Sequence, residues 1–310
     1  MNLRVAFAGT GTFAVPSLQA LAETGQLVLV ITQPDRPAGR GLKPTPPPVK
    51  EAARRLGLPL IQPRSINSPE VLEQLRELEL DLLVVAAYGQ LLKRDVLNLP
   101  KLGCVNVHAS LLPNYRGAAP VAWAILNGER VTGVTTFLMD EGMDTGPILL
   151  QREVEIGPDE TRGELETRLA QVGAELIEET VAGLAAGMIH PKPQPKEGTL
   201  APRLKKEQGR IDWGWPAERV HNWVRGMHPW PGAFTTFRGR HLKLHRSRLV
   251  ASPCQTLPPG TILPDQGALQ VACGQGAVEL VEVQPEGKRR MSGRDFLNGY
   301  RPRPGERLGT

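Results

Sequence analysis

The chain has 310 residues, 40% of them hydrophobic, which is enough for one large or two ordinary cores, and no run approaches the roughly 20 apolar residues of a membrane span. Its three cysteines, Cys104, Cys254 and Cys273, are widely spaced, with no C-x-x-C pair and no histidine cluster, which argues against a structural zinc site. The net charge of +5 is unevenly spread: residues 200–310 carry 18 Lys and Arg against 9 Asp and Glu, whereas residues 1–199 carry 19 against 23.

That asymmetry points to a polyanionic partner held by the second half, the alternative being a charged, solvated surface. The N-terminal MNLRVAFAG enters a strand pattern directly, without a signal-peptide core, and with the cysteine usage this fits a reduced cytoplasmic setting. The 29 prolines, with Arg outnumbering Lys, fit a heat-stable protein, because loop prolines restrict the unfolded chain.

Residues 3–8 read as a buried strand, Gly9 to Ala14 as a turn, Val15 to Glu23 as a helix with Pro16 tolerated in its first turn, and residues 27–32 as a second strand. This is the βαβ opening of an open parallel sheet. The turn also matches G-x-G-x-x-[GA], and Asp35 stands where a ribose-binding acid would be expected. Nothing else in the chain supplies a hydride-transfer site, so no NAD is expected and the turn is read as packing a helix on a sheet.

Residues 33–50, QPDRPAGRGLKPTPPPVK, read as a long irregular loop with Arg36, Arg40, Lys43 and Lys50 against the single acid Asp35. Loops this long are functional or disordered, so the segment is either a cationic finger for nucleic acid or a solvated insert. A short helix over 50–57, a strand in LPLIQP, a helix over 68–79 capped by Ser68 and Pro69, and a buried strand over 81–87 follow. Tyr88-Gly89-Gln90 then lies at the carboxyl end of that strand.

The stretch GCVNVHASLLPNYRG, residues 103–117, is read as a short buried strand that ends near His108 and leaves the sheet before Pro113. Strand side chains alternate, so Asn106 and His108 point to the same side. A carboxamide donor beside an imidazole suits a reaction that develops an oxyanion. Asp144, in the following apolar run, can orient the imidazole and stabilise its protonated form. The plain alternative is a strand end whose side chains bond the backbone.

Further on, residues 119–127 read as helix, 131–139 as a strand of an antiparallel or mixed extension, 148–156 as another strand, and 161–186 as one helix opened by Thr161 and Glu164. Residues 187–206 hold four prolines and two glycines and read as an extended linker ending in Lys205 and Lys206, which could lie along a phosphate backbone. Beyond it come a helix in AERVHNWVRGM, then short alternating runs (AFTTFRG, HLKLHRSRLV, GTILP, ALQVAC, AVELVEVQP) that suggest a small barrel, and a closing helix capped by Ser292. Arg238, Arg240, Lys243, Arg246 and Arg248 alternate in part, placing several cations on one face.

NVHASLLPNYRGAAP followed by MDEGMDTGPIL resembles the signature of the folate-dependent formyltransferases. The resemblance covers nearly the whole chain, through VAFAGTGTFAVPSLQAL, TQPDRPAGRG and VVAAYGQLL to RIDW and HPWPGAF. The core signature is shared by several members. The GRG loop and C-terminal segments narrow the resemblance to the branch that acts on initiator methionyl-tRNA.

The resemblance implies a Rossmann-like α/β catalytic domain with an open, mostly parallel sheet over 1–188, a linker over 189–206, and a small OB-like β-barrel over 207–310 that binds tRNA. It implies transfer of a formyl group from 10-formyltetrahydrofolate to the methionine α-amine, with catalytic Asn106, His108 and Asp144 and no metal. Ser110, Leu111, Leu112, Pro113, Tyr88 and Gly89 would bind folate. Arg40 would read the mismatched end of the initiator stem, with Arg36, Lys43, Lys205, Lys206 and Arg246 also on tRNA. Gly9, Thr10 and Phe13 would line the methionyl pocket. The expected protein is a cytoplasmic monomer with no membrane contact. The alternatives are formyl transfer to a sugar nucleotide or to glycinamide ribonucleotide, formyltetrahydrofolate hydrolysis, and non-enzymatic RNA binding.

Overall fold

A computed structural model describes residues 3–38, 43–250, 257–263 and 267–310. The chain forms two compact units, one of residues 1–117, 132–154 and 166–201, the other of residues 118–131, 155–165 and 202–310.

The first unit opens with strand β1 (Val5–Gly9), helix α1 (Ala14–Glu23) and β2 (Leu27–Ile31), as the βαβ reading expects. Every residue of β1 is buried, which fits an apolar run covered on both faces of a sheet. The stretch expected to be irregular is instead partly paired: β3 (Arg36–Ala38) and β4 (Lys43–Thr45) form a two-stranded antiparallel ladder. Prolines lack the ladder donor, but an isolated two-strand ribbon leaves each strand an outward side where no donor is needed. α2 (Pro48–Arg55) follows, starting two residues earlier than expected because Pro48 fits the first helical turn. The strand expected in LPLIQP shrinks to β5 (Leu60–Ile61).

Next come α3 (Pro69–Glu77), β6 (Leu82–Ala86), the single-turn α4 (Arg94–Leu97) and β7 (Cys104–His108). Ser68 occupies the N-cap position of α3, yet its hydroxyl caps no backbone amide; the Glu70 carboxyl is held below its ordinary range by its own backbone N–H and, second, by the Ser68 hydroxyl. α5 (Pro120–Leu126) belongs to the second unit, whereas most of β8 (Val131–Leu138) and β9 (Ile148–Glu155) completes the sheet of the first. α6 (Arg162–Ala185) is opened by the expected capping box: the Thr161 N–H donates to Glu164 at 2.9 Å and the Glu164 N–H to Thr161 Oγ1 at 3.4 Å.

The seven strands run in the order β5-β2-β1-β6-β7-β8-β9. β5, β2, β1, β6 and β7 run parallel to one another, and β8 is antiparallel to β7. The chain leaves β1 outward to β2 and β5, then returns to β6 on the other side of β1. That reversal makes the carboxyl ends of β1 and β6 a topological switch point, where open α/β sheets form their crevice. Gly9 closes β1 there. A Cβ on it would lie 2.7 Å from Phe7 Cε1, 2.9 Å from Ala14 Cβ and 3.0 Å from Ala86 O, so this glycine serves close helix–sheet packing.

In the second unit a 3₁₀ turn (Lys206–Gly209) leads to α7 (Ala217–Met227), β10 (Ala233–Phe237), β11 (Arg240–Val250), β12 (Gln270–Ala272), β13 (Ala277–Pro285), β14 (Met291–Ser292) and α8 (Gly293–Tyr300). The antiparallel sheet has the order β10-β11-β13-β12, with β14 on β13. Among the described residues GTILP contributes isolated bridges, Thr261 to Arg307 and Ile262 to Val271. The core gathers Val220 and Val224 of α7, Leu242 and Leu244 of β11, Val278 and Leu280 of β13, and Phe296 of α8. The Ser292 hydroxyl caps α8 by accepting from the Asp295 N–H at 3.0 Å. No helix among the described residues is long and apolar enough to cross a membrane.

Candidate active site

β7 lies beside the switch point, with Asn106 paired in register to Val85 of β6 and to Phe137 of β8. Cys104, which shares the parity of Asn106 and His108, packs in a cluster with Leu83, Val85 and Tyr88. Val107 points the other way: a Cβ on Gly173 of α6 would lie 3.0 Å from Val107 Cγ1 and 3.8 Å from the Phe13 ring. Asn106 and His108 therefore share one face, as the strand period requires, and Phe13 packs on the opposite one.

His108 is buried, and its Nε2 lies 2.9 Å from the Tyr115 carbonyl. A carbonyl only accepts, so Nε2 carries the hydrogen and in the neutral ring Nδ1 keeps its lone pair. Nδ1 faces Asp144 Oδ2 at 3.7 Å, an ion-pair distance rather than a hydrogen bond. The hydrogen bond of that carboxylate goes to the Gly117 N–H, at 2.8 Å. The group that fixes the imidazole is thus a main-chain carbonyl seven residues on, with Asp144 as a charge beside the free nitrogen. The Asn106 carboxamide is half-buried and has no hydrogen-bond partner among the described residues.

The turn after His108 is held by groups that carry no motif. Thr135, wholly buried and opposite His108 in register, donates to the Ser110 carbonyl at 2.6 Å and accepts from the Leu112 N–H at 3.1 Å. Gln151 donates to Thr135 Oγ1 and to the Leu112 carbonyl, both at 2.9 Å. The Ser110 hydroxyl closes onto the Asn114 carbonyl at 2.6 Å. Leu112 is buried while Leu111 and Pro113 are half-buried. Leu111 leans on Gly133, where a Cβ would meet Leu111 Cδ2 at 2.6 Å.

At the neighbouring strand ends, Thr10 Oγ1 and Gln33 Nε2 both donate to the Tyr88 carbonyl, at 2.9 and 2.7 Å. The Tyr88 ring lies in the core, its hydroxyl has no partner among the described residues, and burial pushes that hydroxyl up to about 12. Gly89 has φ +79°, and a Cβ there would strike Gln33 Nε2 at 2.8 Å. Thus the Thr10 and Gln33 side chains meet the main chain of Tyr88 and Gly89 at one edge, with the tyrosine ring directed inward. Among the described residues no group of three His, Cys, Asp or Glu is placed to hold a metal ion.

Of the expected tRNA contacts, Arg40 lies outside the described residues, as does the side chain of Lys43. Arg36 is exposed and bonds Gln33 Oε1. Lys205 and Lys206 are exposed. On β11 a register shift between Leu244 and Arg246 lets two consecutive residues, Leu244 and His245, point inward. This bulge keeps Lys243, Arg246 and Arg248 on the exposed face. Arg246 is paired with Glu164, whose carboxyl falls to about 2 through the Thr161 N–H and Arg246. Arg238 is held by Glu306 at 2.6 and 2.9 Å. A feature with no warning in the charge pattern is Arg219, stacked 4.3 Å over Trp215 and 5.6 Å from the Trp223 ring centre.

Residues 1–181 match the formyl transferase family and residues 203–301 its C-terminal domain. The chain belongs to the formyl transferase family. Methionyl-tRNA formyltransferase of Solibacter usitatus is 51% identical over 309 residues, covering 99% of each chain. That of Trichlorobacter lovleyi is 51% identical over 300 residues, covering 96% of this chain and 94% of the relative. Among solved structures, an N-formyltransferase from Helicobacter canadensis in complex with folinic acid and dTDP-3-aminofucose matches with a TM-score of 0.69 at 19% identity, over 91% of this chain and 99% of that one. At that identity the likeness is one of fold.

Proposed function

We propose that the chain transfers a formyl group from 10-formyltetrahydrofolate to the α-amine of methionine on initiator methionyl-tRNA; relatives matched along nearly its whole length are named methionyl-tRNA formyltransferase. The observation that carries the chemistry is the pairing, on one strand end, of an Asn106 amide with no partner among the described residues and a His108 whose Nδ1 has no hydrogen bond among them and lies beside Asp144.

The neutral amine attacks the formyl carbon, and a tetrahedral oxyanion forms. Asn106 donates a hydrogen bond to that oxygen, supplying stabilisation that exists only as charge develops. His108 Nδ1 takes the proton the amine must lose and returns it to the folate nitrogen as the carbon–nitrogen bond to folate breaks. Asp144 stabilises the ring while it holds that proton. The network of Thr135 and Gln151 holds Ser110, Leu111, Leu112 and Pro113 as a preformed wall, which we assign to folate together with the Tyr88–Gly89 backbone. Gly9 and Thr10, at the same edge, are assigned to the methionyl end. Phe13, on the other face of β7, would reach it only from around the end of the strand.

For tRNA we assign affinity to the exposed cations Lys205, Lys206, Lys243 and Arg246, and choice of tRNA to the segment 33–50, whose sequence carries Arg36, Arg40 and Lys43. In functional terms residues 1–188 then catalyse, 189–206 connect, and 207–310 hold the nucleic acid. The test is formylation of charged initiator tRNA by purified protein with 10-formyltetrahydrofolate, beside His108→Ala. Transfer that collapses in the variant supports the activity and the site together. Transfer that survives moves the chemistry elsewhere, and formate release without transfer by the wild type would make the protein a hydrolase.

A further inference from the structure

Asp144 is an unusual place for a catalytic carboxylate, because its backbone has φ +55°, in the left-handed region that non-glycine residues rarely occupy. Such a conformation persists only where its surroundings fix it. The Gly117 N–H holds the carboxylate. What holds the backbone comes from some fifty residues further on: Gln194 Nε2 donates to the Asp144 carbonyl at 3.0 Å and to the Gly146 carbonyl at 2.6 Å. The other end of the same amide accepts from Arg116 Nη2 at 2.8 Å. Two carbonyls that only accept and a guanidinium that only donates leave the Gln194 amide one orientation.

Arg116 is buried, and it also donates to the Pro195 carbonyl at 2.9 Å and the Lys196 carbonyl at 3.3 Å. Its own backbone is paired with the same segment, the Arg116 N–H to the Thr199 carbonyl at 2.9 Å and the Ala201 N–H to the Arg116 carbonyl at 2.7 Å. Next to it, the Tyr115 N–H donates to Thr199 Oγ1 at 2.8 Å. Tyr115 supplies the carbonyl that receives His108, and it too sits at positive φ, 61°. Residues 194–201 therefore tie down both loops that bracket the imidazole, one through Gln194 on Asp144 and one through Thr199 on Tyr115.

We propose that Gln194, backed by Arg116, is a positioning residue for catalysis: it holds Asp144 facing His108 without itself touching a reactant. This rests on the reading of His108 and Asp144 as catalytic. Misplacing a catalytic group by about 1 Å can cost about a hundredfold in rate. Replacing Gln194 should lower kcat about 10- to 100-fold while leaving KM for the folate within about twofold, because substrate contacts are unchanged.

The experiment is a double-mutant cycle on the full chain, with formylation of methionyl-tRNA as the readout: wild type, Gln194→Ala, Asp144→Ala and the double variant. Gln194→Glu runs in parallel, since it keeps a partner for Arg116 and so the fold, yet removes both donors to the Asp144 loop. Each variant is checked by circular dichroism and melting.

If Gln194 acts through Asp144, its loss disappears once Asp144 is gone, so the double variant matches Asp144→Ala. A loss of the same size in both backgrounds would show a general structural role and overturn the proposal. Gln194→Ala and Gln194→Glu both within twofold of wild type, with Asp144→Ala strongly impaired, would also overturn it while leaving the catalytic reading intact. Asp144→Ala near wild-type rate would overturn the catalytic reading and the proposal with it.

Discussion

Removing the Asn106 amide should separate catalysis from stability more cleanly than any other change at this site. The carboxamide is half-buried, flanked in register by Val85 and Phe137, and has no hydrogen-bond partner among the described residues. Asn106→Ala therefore breaks no bond of the resting protein and leaves no buried group newly unpaired. Its cost in stability should stay near about 0.5 kcal/mol, the range of substitutions outside packed or bonded sites. In the transition state the same amide meets a developing oxyanion, where one lost donor costs about 2.7–4 kcal/mol. At 1.36 kcal/mol per decade this is about two to three decades in kcat. Single-turnover formylation of methionyl-tRNA, with saturating folate, reads the chemical step directly, and thermal melting of the same preparation reads stability. The expected result is a rate about 100- to 1,000-fold lower, a folate KM within about twofold, and an unchanged melting temperature. A rate within twofold of wild type would refute the oxyanion role. A melting temperature that falls by more than about 5 °C would refute the reasoning from the other side, since it would mean that the amide is structural.

Four further outcomes follow from the second unit and the two cores. Burial lowers His221, His228 and His245 below the ordinary histidine value of 6.5, so the unfolded chain binds more protons below that pH. Stability should be full above about pH 6.5 and fall as the pH drops through it, and a melting temperature flat from pH 7.5 to about 5.5 would contradict this. Phe296 is wholly buried, 5.2 Å from the Phe237 ring and stacked 4.6 Å from Tyr300, so Phe296→Ala should destabilise by about 3–5 kcal/mol in a denaturant titration. Burial pushes the Cys104 and Cys273 thiols up to about 12; peptide mapping after treatment of the native protein with a thiol reagent at pH 8 should find neither labelled. Neutralising Lys205 and Lys206 together should weaken tRNA binding and flatten its dependence on salt by about one to two in log–log slope, and an unchanged slope would remove them from the interface.

How far the site could be read in advance depends on which kind of order each part uses. Asn106 and His108 were legible because their relation is local: two residues apart on one strand, pointing to one side whatever the rest of the chain does. Thr161 and Glu164 were legible for the same reason, since a capping box closes within four residues. The parallel order about β1 followed from the βαβ opening and a short list of permitted connections. The ribbon of β3 and β4 was missed because its prolines argue against pairing when counted one by one. Only their register shows that an isolated ribbon can tolerate them.

The groups that hold the imidazole in place belong to another kind of order. Tyr115 acts through its carbonyl, and every residue has one, so no side-chain pattern could mark it. Thr135 became visible as a partner of the SLLP turn only when β7 and β8 were paired with His108 opposite it. Gln194 stands in a proline-rich stretch whose composition says spacer, fifty residues from the carbonyl it binds. What that stretch supplies is backbone and amide geometry rather than reactive chemistry. The reacting groups are named by residue type and spacing, while the shell that aims them is made of backbone contacts of long range. The same division explains why the charge pattern located a basic face on β11 but not the state of its cations. Arg246 reads as free in the sequence, yet in the fold it is already paired with Glu164, so a phosphate arriving there competes with a carboxylate for the same guanidinium.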